Sequence, residues 1–175
     1  MKKCVFLDRD GVLNEEIGTY VYESDKFIIP EGVPEALGLL KNAGYLLIVI
    51  TNQAGIAKGL YTEKEVLACH QKLQEACGYL LDALYYCPYH PEYDSQSLLR
   101  KPGSLMLEKA IAKFTIDPLQ SWMVGDKHRD IEAGQKAQVN TILVAQDGQA
   151  HQANFVAGNL WEAANIIIHN EKRQD

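Results

Sequence analysis

Long apolar runs are missing from this sequence. The longest, Tyr45 to Ile50, falls far short of the ~20 residues that cross a bilayer. At the N-terminus, Met1-Lys2-Lys3-Cys4-Val5-Phe6-Leu7 meets Asp8 before a signal-peptide core can form. A cytoplasmic protein with no membrane partner is expected. Cysteine is scarce as well. Without a secretory signal, Cys4, Cys69, Cys77 and Cys87 read as reduced thiols and not as a disulfide framework, the first three as packing residues. A basic excess is also lacking: 17 Lys+Arg stand against 23 Asp+Glu, a net charge of −6. The scattered cations weigh against a nucleic-acid partner and leave a small anionic metabolite possible. No internal repeat is found. What is present, 175 residues with 47% hydrophobic and 23% charged, suits one globular domain over residues 1–175, expected to be monomeric.

Short apolar runs alternate with helical patterns, which predicts a parallel sheet with helices on both faces. Strands are expected at Cys4 to Leu7, Tyr45 to Ile50, Ala83 to Tyr86, Trp122 to Val124 and Thr141 to Val144. Between them, Val33, Ala36, Leu37 and Leu40 form one helical stripe that Gly44 would stop. Thr62 with Glu65 has the form of a capping box, and Val66, Cys69, Leu73, Cys77 and Leu80 continue behind it. Ser104 is positioned to cap a helix through Leu107, Ala110, Ile111 and Phe114. A helix over Arg129 to Ala137 and a closing one through Leu160, Ala163, Ala164, Ile167 and Ile168 precede a polar tail, Glu171 to Asp175. With right-handed crossovers, the fold class is α/β, a three-layer doubly wound parallel sheet.

In such sheets ligands bind beyond the carboxyl ends of the strands. The polar residues there are Asp8-Arg9-Asp10-Gly11, Thr51-Asn52-Gln53, Arg100-Lys101-Pro102 and Gly125-Asp126-Lys127. Each alone has a bland reading: an Asp-x-Asp is also a loop-capping pair, Thr-Asn and Gly-Asp are ordinary turn formers, and a loop lysine is commonly solvated. Together they place three carboxylates, a hydroxyl and several cations at four strand ends. Close carboxylates repel unless a cation or a shared proton intervenes. Oxygen-only ligands favour Mg²⁺, which takes a few carboxylates, water and a substrate phosphate. Thr51, main-chain N–H groups near Asn52, and Lys101 would hold the phosphate oxygens.

The segments Phe6-Leu7-Asp8-Arg9-Asp10-Gly11-Val12-Leu13-Asn14, Thr51-Asn52-Gln53, Arg100-Lys101-Pro102 and Val124-Gly125-Asp126-Lys127-His128-Arg129-Asp130 resemble the four motifs of the haloacid dehalogenase (HAD) superfamily of phosphatases. The likeness runs from about Cys4 to Val144 and points within the superfamily to the histidinol-phosphate and heptose-bisphosphate phosphatases. The resemblance implies that Asp8 is the nucleophile of an aspartyl-phosphate mechanism and Asp10 the general acid and base. It further implies Mg²⁺ on Asp8, the Asp10 carbonyl and Asp126, phosphoryl contacts from Thr51 and Lys101, and Asp130 behind the metal site. Substrate contacts would come from Arg9, Glu16, Gly18, Thr19, Tyr20, Asn52, Gln53, Ala54, Arg100 and Lys127. The Arg100-Lys101 pair ranks a heptose 1,7-bisphosphate ahead of histidinol phosphate as the small phosphorylated metabolite.

Where many relatives hold zinc with Cys-x-His and Cys-x-Cys, this sequence keeps Cys87 but has Tyr89, Ser97 and Leu99. Cys87 and His90 supply two of the four ligands of a structural site, so zinc is not expected and the loop from Cys87 to Gly103 must be held by packing or hydrogen bonds, with Tyr89 and Tyr93 as candidates. The span from Asp8 to Asp126 is used up by core elements, so no separate cap domain is expected. A phosphoaspartate signalling module is the alternative from another class, and Asp10 argues against it by promoting hydrolysis. A catalytically dead binding protein would have lost one of Asp8, Asp10, Thr51, Lys101 or Asp126, and all are present.

Overall fold

The computed structural model describes residues 1–145 and 152–171; the end of the predicted polar tail, after Glu171, lies outside them. Six strands form one parallel sheet in the order β3-β2-β1-β4-β5-β6. They are β1 (Cys4–Leu7), β2 (Leu46–Asn52), β3 (Ala83–Cys87), β4 (Trp122–Gly125), β5 (Asn140–Val144) and β6 (Phe155–Ala157). The helices are α1 (Val33–Asn42), α2 (Glu63–Ala76), α3 (Leu105–Phe114), α4 (His128–Lys136) and α5 (Leu160–Glu171).

Strand alternation divides the core. Val5, Leu7, Leu47 and Val49 pack with α1, α2 and α5 on one face, whereas Cys4, Phe6, Ile48 and Ile50 pack with α3 and α4 on the other. Buried on both faces, β1 needs continuous apolar sequence, which is why it reads as an uninterrupted run. All four cysteines are buried and free. Among the described residues there is one sheet, with no second sheet over its carboxyl edge, and no helix is long and apolar enough to cross a membrane.

The expected capping box closes α2: Lys64 N–H donates to Thr62 Oγ1 at 3.2 Å, and Thr62 N–H to Glu65 Oε2 at 2.7 Å. Gly44, at φ 85°, follows α1 and donates to the Lys41 carbonyl. Two expectations need correction, and one strand is added. Ser104 does not cap α3 with its side chain, because its backbone is already helical (φ −93°, ψ −5°) and its hydroxyl meets the Glu108 carboxylate instead. Cys77 is the C-cap of α2 and Leu80 lies beyond it, after Gly78 and Tyr79 turn the chain with positive φ, and Leu80 packs on the core from the loop. β6 was not expected, since its three residues are too few to show a period, but Leu143 pairs with Val156 at the sheet edge.

Candidate active site

The parallel topology brings the ends of β1, β2 and β4, and the loop after β3, to one edge of the sheet. Asp8 follows β1 and is 3% exposed. Its Oδ1 accepts the Arg9 N–H at 2.7 Å and ion-pairs with Lys101 Nζ at 2.8 Å. Lys101, 1% exposed, also ion-pairs with Asp130 at 2.7 Å and donates to the Ile50 carbonyl at 2.8 Å. Burial and then Asp130 push the Asp8 carboxyl up to about 8 against the pull of Lys101. Burial alone would lower the Lys101 ammonium, but Asp130 and Asp8 outweigh it and raise the group, which keeps it charged.

Carboxylate oxygens of Asp8, Asp126 and Asp130 lie within 4.8 Å of one another. Burial raises the Asp126 carboxyl, partly offset by Lys127, whose Nζ sits 2.7 Å from Oδ2. Oδ1 of Asp126 is buried with no hydrogen-bond partner. Three crowded carboxyls and an orphaned oxygen, met by the buried Lys101 and the more exposed Lys127, fit a hard divalent cation with oxygen ligands. Two glycines make this packing possible. A Cβ on Gly11, at φ +84°, would lie 2.4 Å from Asp126 Oδ2, and one on Gly125 would lie 2.2 Å from Asp130 Cβ.

The Asp10 carboxylate faces elsewhere. Its Oδ1 accepts from Arg9 Nη2 at 2.8 Å and Asn14 Nδ2 at 3.0 Å, and its Oδ2 from Gln53 Nε2 at 3.3 Å. Gln53 also donates to Thr51 Oγ1 at 2.9 Å and accepts from the Tyr61 hydroxyl at 2.7 Å. The two aspartates thus occupy opposite surroundings, Asp8 among the carboxylates and Lys101, Asp10 among neutral donors and one guanidinium.

Asp10, Arg9, Glu16, Gly18, Thr19, Tyr20, Asn52 and Lys127 line one cavity of about 500 Å³, whose wall carries the ring of Tyr61 with Tyr20 at 6.1 Å. The structure does not bring every expected contact into it. Arg9 is 2% exposed, and its Nε and Nη2 are taken by Asp10 and the Val21 carbonyl; only Nη1 lacks a partner, so it fixes Asp10 before anything else. Gln53 and Ala54 are buried and do not line the cavity. Asn52 clamps the Lys101 backbone, donating to its carbonyl and accepting its N–H, both at 3.0 Å. Arg100 lies with Lys101 on a separate hollow beside Pro91 and Ser97. Asn14, Tyr61 and Arg129 were not singled out. Asn14 lay unassigned within the first motif, whereas nothing local marks Tyr61, which meets Gln53 only through the fold.

Hydrogen bonds to backbone carbonyls and to the side chains of Asp94, Ser97 and Asn52 hold the Cys87 to Gly103 loop, and Tyr89 takes part through its carbonyl. Cys87 Sγ approaches the Tyr89 carbonyl at 3.9 Å, Arg100 Nη1 donates to the same oxygen at 3.4 Å, and Tyr93 and Asp94 N–H donate to the His90 carbonyl at 3.0 Å. The expected Tyr93 contribution is a ring contact, edge-on to His90 at 5.3 Å.

Comparison with known proteins places this arrangement. A family model described as HAD-hydrolase-like matches residues 98–163. A D-glycero-beta-D-manno-heptose-1,7-bisphosphate 7-phosphatase from Haemophilus ducreyi is 44% identical over 157 residues, 85% of this chain and 86% of the relative. A D-glycero-alpha-D-manno-heptose-1,7-bisphosphate 7-phosphatase from Burkholderia mallei is 41% identical over 97% of this chain and 90% of its own length. Among solved structures, the D,D-heptose 1,7-bisphosphate phosphatase from B. bronchiseptica, complexed with magnesium and phosphate, superposes with a TM-score of 0.87 at 28% identity, covering 96% of this chain and 99% of that one. The chain belongs to the HAD-like hydrolases, in the group that holds the heptose 1,7-bisphosphate 7-phosphatases.

Proposed function

We propose that this protein is a Mg²⁺-dependent cytoplasmic phosphatase that removes the 7-phosphate of D-glycero-D-manno-heptose 1,7-bisphosphate. The observation that carries the reading is the opposed setting of Asp8 and Asp10, one carboxyl held by a buried lysine and the other lining the cavity. The substrate follows from the names of the relatives and the magnesium from the carboxylate cluster.

In this mechanism an Asp8 oxygen attacks phosphorus, forming the Asp8–phosphorus bond while the bond from phosphorus to the sugar oxygen breaks. Lys101 and Arg9 N–H hold Oδ1, which leaves Oδ2 for the attack. Asp10 gives its proton to the leaving alkoxide, then takes one from water, whose oxygen displaces Asp8 and releases inorganic phosphate. Gln53, Arg9 and Asn14 keep the Asp10 carboxyl in one rotamer. Thr51 and Lys101 offer an O–H and an ammonium to the charge on the transferring phosphoryl group. Asp8, Asp126 and the Asp10 carbonyl would hold Mg²⁺, with Asp130 behind them, and the bound ion supplies charge neutralisation at the phosphate. Asp10 separates this reading from a phosphoaspartate switch, because it promotes hydrolysis of the intermediate.

Phosphate release is to be measured with Mg²⁺ and with EDTA on the heptose bisphosphate, histidinol phosphate and generic sugar phosphates. Metal-dependent preference for the bisphosphate is expected. Asp8→Asn and Asp10→Asn should each lower turnover by at least about 10²–10⁴-fold with the fold intact. Preference for histidinol phosphate would overturn the substrate assignment, and near-normal turnover in either variant would overturn the mechanism.

A further inference from the structure

Three cations gather near the cavity, which the carboxylates of Asp10 and Glu16 also line. Arg129, in the first turn of α4, lines it with Asp10, Thr19, Tyr20 and Lys127. Arg100 makes one long hydrogen bond, 3.4 Å, to the Tyr89 carbonyl; burial first, and then the charge of Arg129, hold its guanidinium below the ordinary value, so each lies in the field of the other. Lys58 lies 5.3 Å from the ring centroid of Tyr20, which lines the cavity, and 4.8 Å from that of Tyr93. Among the described residues none of the three is ion-paired, although the chain carries 23 acidic residues. Lys127 beside them is paired with Asp126.

Like charges gathered at a partly buried rim repel one another. A cation in the first turn of a helix is further disfavoured by the macrodipole. On the floor of the same cavity, Arg9 Nη1 is buried without a partner. A multiply charged anion reverses the sign of all these terms, and planar guanidiniums match phosphate oxygens in a two-point geometry.

We propose that Arg129, together with Arg100, binds the phosphate that is not hydrolysed, which makes Arg129 a residue that selects bisphosphates over monophosphates. The assignment rests on the phosphatase reading above. It gives α4 two tasks in adjacent residues: Asp130 meets Lys101 at the reacting end, and Arg129 meets the distal phosphate across the cavity.

The test compares wild type with Arg129→Gln and Arg129→Lys on the heptose 1,7-bisphosphate and on p-nitrophenyl phosphate. It also measures inhibition by heptose 1-phosphate and by inorganic phosphate. In Arg129→Gln the preference for the bisphosphate should fall by about tenfold or more, through KM, and inhibition by heptose 1-phosphate should weaken by a similar factor. Inorganic phosphate, which occupies the Asp8 end, should lose much less, and Arg129→Lys should keep part of the preference. A preference and a heptose 1-phosphate inhibition constant both within about twofold of wild type would overturn the subsite while leaving the phosphatase reading in place. Release of phosphate from neither ester by wild type would overturn that reading, and the subsite with it.

Discussion

Replacing Lys101 by Met tests whether the carboxylate cluster depends on its internal cation. Lys101 is 1% exposed and reaches Asp8 and Asp130 at 2.8 and 2.7 Å. Met fills a similar volume, so the change removes charge more than packing. Two buried carboxylates then lose their counter-ion, and removing one member of a buried pair costs about 3–5 kcal/mol. For a chain of this length each kcal/mol corresponds to about 2–4 °C in Tm, so Lys101→Met should melt about 6–20 °C below wild type in EDTA near neutral pH. Saturating Mg²⁺ should raise the Tm of the variant by more than that of wild type, because the ion answers the same uncompensated charge. Thermal melts of both proteins, with EDTA and with a Mg²⁺ titration, read both effects. A Tm within about 2 °C of wild type in EDTA would refute the claim that Lys101 balances the cluster.

Three further outcomes follow from the geometry. Gly11→Ala forces a Cβ to 2.4 Å from Asp126 Oδ2 at φ +84°, so stability should drop by about 1–2 kcal/mol and Mg²⁺ affinity with it, as read by melts across a Mg²⁺ series. Tyr61→Phe frees Gln53 Oε1 from its 2.7 Å hydrogen bond; the expected cost is about 1 kcal/mol of stability and a loss in kcat larger than the change in KM, measured by steady-state kinetics. Burial pushes the Cys77 thiol up to about 11 and raises Cys4, Cys69 and Cys87, so at pH 8 Cys77 is ionised to the order of a thousandth. A thiol-exchange assay with a chromogenic disulfide should therefore be slow in the native protein and quicken as pH rises towards the raised values. Four equivalents should react at once when the chain is unfolded.

The layering was legible because β1 and the Leu47 to Ile50 part of β2 are buried on both faces and must be apolar, and because α1 shows a clean stripe at Val33, Ala36, Leu37 and Leu40. The capping box of α2 was legible for a local reason, since its two partners are three residues apart. Ser104 has a capping sequence and a helical backbone, and only the neighbouring chain decides between them. β6 is three residues long and exists through pairing with β5, a long-range contact that no local pattern records.

At the site, the sequence by itself determined the chemistry on offer: three acids, a hydroxyl and a lysine at the ends of strands that a parallel sheet must gather at one edge. It could not decide how those groups divide their bonds. Asp8 and Asp10 are two residues apart, yet the chain turns after β1 and sends one to Lys101 and the other to Arg9, Asn14 and Gln53. That same turn drew Arg9 inward to support Asp10, while the sheet order set Arg129 from α4 near Arg100 from the loop after β3. Residue type fixes which bonds a side chain can make, but desolvation and distance between segments far apart in the chain decide which of them form.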